Sequence, residues 1–252
     1  MEKLRFFDCS LSYGRRSSVL PGSFYRLEDL LDRMDDYGIE EGLVYHALSQ
    51  EYAPEIGNQA VLEVKSYQNR LHPVWSTVPT HTGEYLPPEQ LLAQMKLEDV
   101  RAVRLFHETE WQAFCLEEWN CGDLFSALED YSVPLFITYD PSKWGEYGRL
   151  MQNHPKLSLV LCGVNYRIDR NLYGAMKAFP HLYVETFGYK VHRGIENLVQ
   201  AFGADRLLFG SGMPVSSGAS AVAMVSYAQL PRIDKEKIAG ENLRQLLGGV
   251  CL

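Results

Sequence analysis

The chain has 252 residues, of which 46% are hydrophobic and 22% are charged, and its formal net charge is -8. This composition is typical of a globular protein with enough apolar side chains for one large core. No basic run is longer than the Arg15-Arg16 pair. The acidic balance therefore argues against general nucleic-acid binding, because contacts to phosphates need clustered lysine and arginine.

The five cysteines are an odd number and include no C-x-x-C pair. This pattern disfavours both a disulfide framework and a cysteine zinc site. Residues 1–5 run directly into an apolar stretch without a signal-peptide core, and no run of about 18 apolar residues occurs. We therefore expect a cytoplasmic protein without a membrane span.

Strands and helices are predicted to alternate along the whole chain. The apolar run Leu4–Cys9 predicts a first strand, and Leu27, Leu30 and Met34 then share one helical face. Gly38 is the expected end of that helix. The later predicted elements are a strand over 42–48, a helix over 58–70, a strand over 73–78, a helix from 87, a strand over 100–106, a helix over 122–131, a strand over 134–139, a helix over 144–153, a strand over 157–162, a helix over 171–179, a strand over 182–186, a helix over 193–202, a strand over 207–210, and helices over 217–227 and 235–247.

About eight strand–helix units in this length predict an α/β protein with a single (β/α)8 TIM-barrel domain over residues 1–252. The strands are continuous apolar runs, as in a parallel sheet covered by helices. An open, doubly wound sheet is the alternative, but the residues after the first strand, Ser10 to Gly14, lack the glycine-rich pattern it requires. The longest irregular segment, about 106–121, contains Trp111 and Trp119 and is typical of a lid or binding loop.

Three segments carry a resemblance to a known family. Phe7–Gly14 stands where the family has D-x-H-x-H after the first strand. Ala201–Pro214 is close to F-G-x-D-R-L-L-F-G-S-D-x-P, and Lys237–Leu247 is close to K-I-x-x-x-N-x-x-x-L-L. The chain thus resembles the amidohydrolase-related (amidohydrolase 2-like) TIM-barrel family of metal-dependent hydrolases.

The resemblance implies a divalent metal held by a histidine pair, by histidines after strands five and six, and by an aspartate after strand eight. Such a metal lowers the pKa of bound water and supplies a hydroxide nucleophile. In this chain the corresponding positions are Ser10 and Ser12, Thr138 or Tyr139, Cys162 or Gly163, and Gly212. We therefore predict no metal at the usual place and no other cofactor.

Other polar residues are predicted at the carboxyl ends of the strands, where barrel enzymes carry their reacting groups. We predict His46, His107 and Glu185 as catalytic residues. The candidates for substrate binding are Ser10, Ser12, Arg104, Tyr139, Asn165 and Ser211.

Each of the leading candidates also has a structural interpretation. A neutral His46 imidazole would suit a general base, or it would simply be packed at the barrel top. Arg104 would hold a carboxylate bidentately, or it would form a salt bridge with Glu108 or Glu185. A buried Glu185 must be paired or protonated, and either state fits a catalytic or a structural role.

Three functional hypotheses follow. The first is a metal-independent hydrolase, or a related lyase or decarboxylase, that binds a small carboxylated substrate at the carboxyl-end face of the barrel. The alternative is a catalytically inactive relative that binds a small molecule or a protein partner. The third is a relocated metal site built from His46, His81 or His107. The sequence is compatible with a homo-oligomer and leaves the substrate and the presence of activity open.

Overall fold

The computed structural model describes residues 3–67 and 69–252, and over these residues nine parallel strands alternate with helices. The strands are β1 (Phe6–Tyr13), β2 (Ile39–His46), β3 (Leu71–Pro73), β4 (Trp75–Ser76), β5 (Val103–Leu105), β6 (Leu135–Thr138), β7 (Leu159–Cys162), β8 (Leu182–Glu185) and β9 (Leu207–Leu208). The α-helices are α1 (Leu27–Tyr37), α2 (Ala47–Glu51), α3 (Pro54–Val61), α4 (Pro88–Glu98), α5 (Glu118–Asp130), α6 (Trp144–Asn153), α7 (Asp169–Ala178), α8 (Gly194–Phe202), α9 (Gly218–Tyr227), α10 (Arg232–Glu236) and α11 (Asn242–Gly248). Short 3-10 helices cover Leu62–Tyr67 and Thr80–Thr82, and a π-helical turn covers Lys237–Glu241.

The strands form a ring that confirms the predicted TIM barrel. One sheet has the order β1-β2-β3 and the other runs from β4 to β9. Only Val74 separates β3 from β4, and its N–H donates to the Val44 carbonyl at 2.8 Å, so β3 and β4 are two parts of one barrel strand. The Cys9 N–H donates to the Phe209 carbonyl at 2.9 Å and joins the first strand to the last.

The predicted elements are found in order, with local differences in their bounds. The α6 helix has the bounds that the sequence predicts, and α1 ends at Gly38 in the left-handed conformation with φ 69°. The first strand was predicted to end at Cys9 but continues to Tyr13, because its pairing with β2 is interrupted after Asp8 and resumes from Leu11 to Tyr13. The predicted helix over 58–70 is instead α3 followed by a 3-10 helix, and Gln68 lies outside the described residues.

Two apolar clusters result from the alternation of side chains along each strand. The larger one lies between the strands and the surrounding helices. The smaller one fills the barrel and is closed at one end by α11; its buried members are Phe7, Cys9, Leu43, Tyr45, Val74, Ala102, Phe106, Phe136, Val160, Cys162, Leu208, Leu243 and Leu247. The barrel is therefore a packed core, open to ligands only at the carboxyl ends of its strands. No helix in the described part of the chain is long and apolar enough to cross a membrane.

Candidate active site

A cavity of about 340 Å³ opens at the carboxyl ends of the strands. Two larger hollows, of about 860 and 1030 Å³, lie on the outside of the barrel against α3, α4 and α5, and are not lined by the mouth residues. The mouth cavity is lined by Ser10, Ser12, Arg16, Ser17, Ser18, Leu20, Tyr45, Gln50, Glu51, Arg104, Trp111, Thr138, Gly163, Glu185, Phe187, Gly212, Met213 and Val215. A volume at the low end of ligand pockets suits a small molecule.

Five of the residues that the resemblance places at metal-ligand positions line this cavity: Ser10, Ser12, Thr138, Gly163 and Gly212. The alternatives for two of these positions, Tyr139 and Cys162, are not among the residues that line it. Neutral hydroxyls are weak ligands for a divalent transition metal, and glycine has no side chain to offer. Among the residues that the structure describes, no group of three His, Cys, Asp or Glu side chains is placed to hold a metal ion.

The backbone and the neighbouring charges also oppose a metal here. Gly212 has φ +68°, and a Cβ at this position would lie 2.9 Å from Cε1 of Phe187, so an aspartate would be strained and crowded. Arg16 Nη2 donates to Ser12 Oγ at 2.9 Å, and Arg104 Nη1 donates to Ser10 Oγ at 3.4 Å. Cationic groups therefore contact the hydroxyls that would have to bind the metal. The residues present do not fit a divalent cation.

Arg104 is a buried cation without a carboxylate partner. Its side chain lies on β5, is 7% exposed, and has its Cζ 5.0 Å from the ring centroid of Tyr45 and 5.5 Å from that of Phe106. Over the described residues, no carboxylate lies within 4.0 Å of its guanidinium. The predicted alternative, a salt bridge to Glu108 or Glu185, is not formed. The aromatic faces hold the guanidinium by cation–π contact, and no described carboxylate contacts it directly.

Glu185 is a buried carboxyl group that lines the same cavity. It ends β8, is 1% exposed, and its Oε2 accepts a hydrogen bond from the Gly163 N–H at 2.6 Å. Burial raises the pKa of Glu185, and the charge of Arg104 and the Gly163 hydrogen bond offset only part of that effect. A carboxyl group whose pKa is raised by burial is suited to donate a proton at neutral pH.

A network of polar groups fixes one wall of the cavity. Arg16 Nη1 donates to Gln50 Oε1 at 2.8 Å and to Glu51 Oε1 at 3.2 Å. Arg16 Nη2 also donates to the Tyr45 hydroxyl at 3.3 Å. Glu51 Oε2 accepts from the Ser17 N–H at 2.6 Å. The loop after β1 is thereby tied to α2, and the wall is held in place before a ligand binds.

Asp8 lies beneath the mouth and joins the first and last strands. Its Oδ1 accepts hydrogen bonds from the N–H groups of Ser10 at 2.9 Å and Ser211 at 3.1 Å. The side chain is fully buried, and burial raises the pKa of Asp8 to about 7. Ser211, predicted to bind substrate, does not line the cavity; its Oγ accepts from the Met213 N–H at 3.2 Å.

The two histidines predicted to be catalytic lie outside the set of residues that line the cavity. His46 caps α2, because its Nδ1 accepts from the Leu48 N–H at 3.2 Å, and burial lowers its pKa. It lines a separate surface hollow of about 450 Å³. His107 is 1% exposed and packs against the rings of Phe114 and Tyr147, and burial lowers its pKa as well.

Three further candidates are also placed away from the mouth cavity. The Tyr139 hydroxyl accepts a hydrogen bond from the Trp144 Nε1–H at 3.4 Å. Asn165 Oδ1 accepts from the Arg167 N–H at 2.8 Å and closes a local turn. His81 is exposed, and its Nε2 lies 3.2 Å from the Asn120 carbonyl. The structure thus brings together Ser10, Ser12, Arg104 and Glu185, and it adds residues that the sequence reasoning missed, above all Arg16, Tyr45 and Glu51.

Comparison with known proteins agrees with this architecture. A solved TIM-barrel protein from Bordetella bronchiseptica has a TM-score of 0.74 at 20% identity, over 98% of this chain and 99% of that chain. The 2,6-dihydroxybenzoate decarboxylase from Rhizobium has a TM-score of 0.76 at 13% identity, over 98% of this chain and 99% of that chain. A dihydroxybenzoic acid decarboxylase from Polaromonas, solved with manganese and 2-nitroresorcinol, has a TM-score of 0.72 at 13% identity, over 98% and 97% of the two chains.

At these identities the solved structures show the fold, and the sequence itself shows the family. No curated protein matches the chain significantly. The model of the amidohydrolase family matches residues 42–249, which contain all the strands from β3 onward and the closing helix α11. Together with the parallel barrel, this match establishes that the chain belongs to the amidohydrolase family.

Proposed function

We propose that this protein is a metal-independent lyase that decarboxylates a small aromatic carboxylic acid at the mouth of the barrel. The observation that carries the proposal is the buried guanidinium of Arg104, which has no carboxylate partner among the described residues, in the same cavity as the buried carboxyl of Glu185, whose pKa is raised by burial. A desolvated guanidinium is suited to bind a carboxylate bidentately. The rings of Tyr45, Trp111 and Phe187 in the lining favour a planar ring as the body of the substrate.

The reaction assigns one role to each group. Arg104 binds and orients the acid, with Ser10 and Ser12 as neutral hydroxyls beside it. The Glu185 carboxyl donates its proton to the ring carbon that carries the carboxylate, and a π electron pair of the ring forms the new C–H bond. The bond from that carbon to the carboxylate then breaks, its electron pair returns to the π system of the ring, and CO₂ leaves. Glu185 is left ionised and recovers its proton from water, so that protons and electrons balance.

The raised pKa of Glu185 and the lack of a set of metal ligands among the described cavity residues favour decarboxylation over hydrolysis. Hydrolysis needs a group that activates water, either a metal or an unprotonated general base. The residues here do not fit a divalent metal, and burial favours the protonated form of Glu185. Two of the similar solved structures are decarboxylases of dihydroxybenzoic acids, which supports a carboxylated aromatic ring as the first substrate class to test.

The test is release of labelled CO₂ from a panel of carboxyl-¹³C hydroxybenzoic acids, measured with EDTA present and, in a parallel assay, with manganese added in place of EDTA. The wild type is expected to release CO₂, and Glu185→Gln is expected to bind the acid but to lose at least about a hundredfold in kcat. Glu89→Gln, an exposed glutamate on α4, is the matched control. Binding without CO₂ release from any acid would favour the inactive relative, and release only after metal is added would contradict the proposal.

A further inference from the structure

A second pair of charged residues lines the same cavity as Arg104 and Glu185. Arg16 and Glu51 form an ion pair with 3.2 Å between Nη1 and Oε1, and their side chains are only 12% and 11% exposed. Exposed ion pairs are dominated by solvent screening, whereas a pair this buried keeps most of its electrostatic effect on its surroundings. The charges of Arg16 and Glu51 are therefore part of what a ligand in the cavity encounters.

The charges that line the cavity leave room for a single negative charge on the ligand. Arg16 is ion-paired with Glu51, whereas Arg104 forms no ion pair with a described carboxylate, so Arg104 is the cation of the lining that is left to hold a ligand carboxylate. A second anionic group on the ligand would meet no further unpaired cation among the described side chains that line the cavity. It would instead share the cavity with the Glu51 carboxylate, and juxtaposed like charges in a desolvated site disfavour binding strongly.

We propose that Glu51 is a specificity-determining residue that restricts the ligand to a monoanion, so that the site accepts a small monocarboxylic acid and rejects a dicarboxylic acid of the same shape. This inference rests on the proposed function, in which Arg104 holds the one carboxylate. The restriction is built into the wall, because Glu51 is fixed through both oxygens, Oε1 to Arg16 and Oε2 to the Ser17 N–H. It cannot turn away from a second acidic group without breaking both contacts.

Two probes of equal shape separate charge from size. They are 3-carbamoylbenzoate, a monoanion, and isophthalate, which carries a carboxylate in place of the carbamoyl group. Isothermal titration calorimetry at pH 7 and fixed ionic strength measures their Kd for the full-length wild type, Glu51→Gln and Arg104→Gln. The wild type is expected to bind 3-carbamoylbenzoate at least about tenfold more tightly than isophthalate. Glu51→Gln frees the charge of Arg16, and the ratio of the two Kd values is expected to fall at least about tenfold.

Arg16→Gln provides a second test if Glu51→Gln does not fold. It leaves Glu51 unbalanced, so binding of 3-carbamoylbenzoate is expected to weaken at least about tenfold. Equal binding of the two probes to the wild type overturns the restriction to monoanions, while it leaves carboxylate binding by Arg104 intact. If both probes bind Arg104→Gln as tightly as the wild type, the proposed function fails, and this inference fails with it.

Discussion

Replacing Asp8 by asparagine tests the electrostatics beneath the barrel mouth. Asp8 is fully buried, and burial raises its pKa from 3.8 to about 7. The folded protein thus holds this proton more tightly than the unfolded chain does. Such a group stabilises the fold fully below about pH 4, and this contribution is lost as the pH rises through about 7.

The size of the effect follows from the two pKa values. The free energy of unfolding changes by about 1.4 kcal/mol for each pH unit between them, and for Asp8 the two pKa values are 3.8 and about 7. Ionisation of Asp8 therefore lowers the free energy of unfolding by about 4 kcal/mol between pH 4 and pH 8. Asparagine keeps an oxygen that can accept from the Ser10 and Ser211 N–H groups, and it has no charge to bury.

Urea unfolding at fixed ionic strength, in steps from pH 4.5 to 8.5, measures this difference. The stability of Asp8→Asn relative to the wild type is expected to rise with pH, by up to about 4 kcal/mol at the alkaline end. Asp32→Asn, at an exposed position on α1, is the control and is expected to run parallel to the wild type. A pH-independent difference between Asp8→Asn and the wild type would refute the reasoning.

Three further predictions concern the ring beside Arg104, the backbone and the metal. Tyr45→Leu is expected to weaken benzoate binding about threefold to tenfold by calorimetry, since the Tyr45 ring holds the guanidinium, whereas Tyr45→Phe retains most of the affinity. Gly188→Ala places a Cβ 1.8 Å from the Val164 carbonyl oxygen and is expected to lower the unfolding free energy by about 3 kcal/mol. Gly174→Ala in α7, with no atom within 4 Å, is the control and is expected to raise it by about 0.5–1 kcal/mol in the same urea titration. Adding manganese or EDTA is expected to shift Tm by less than about 1 °C. A rise of several degrees with manganese would contradict the conclusion that the cavity residues do not fit a divalent metal.

The barrel was predictable because the local sequence pattern of each strand and helix is enough to identify it. The apolar run of β7 and the amphipathic face of α6, for example, need no long-range information to be recognised. The end of β1 was not predictable in this way. Ser10 and Ser12 look like loop residues, yet they lie in the strand because the barrel interior at this level is polar.

Which polar residues face the cavity depends on the alternation of side chains along each strand, and the sequence does not determine which alternate set points inward. Successive residues of a strand point to opposite faces, so an error of one position exchanges the interior for the exterior. Tyr45 and Thr138 line the cavity, whereas their neighbours His46 and Tyr139, which the sequence favours on chemical grounds, do not. The predicted end of β6 differs from the observed end by one residue and that of β1 by four, and a difference of one residue already exchanges the two faces.

Arg16 and Glu51 could not be placed from the sequence for a different reason. They lie in the loop after β1 and at the end of α2, and their meeting depends on how two irregular connections fold over the mouth. Loops at this face of a barrel carry its functional groups but have no periodicity from which a contact could be inferred.

The residues at the family's metal-ligand positions indicate a site adapted to another ligand, rather than a metal site that has only lost its ligands. Gly212 has a backbone conformation that disfavours the aspartate of the family, and both serines accept hydrogen bonds from arginines. A buried guanidinium without a carboxylate is unfavourable by several kcal/mol unless another group compensates it. An anionic ligand at Arg104 supplies that compensation whether or not the protein is an enzyme. What distinguishes a lyase from a binding protein is therefore the Glu185 carboxyl, whose pKa is raised by burial, since holding an acid does not require a buried carboxyl group in the same cavity.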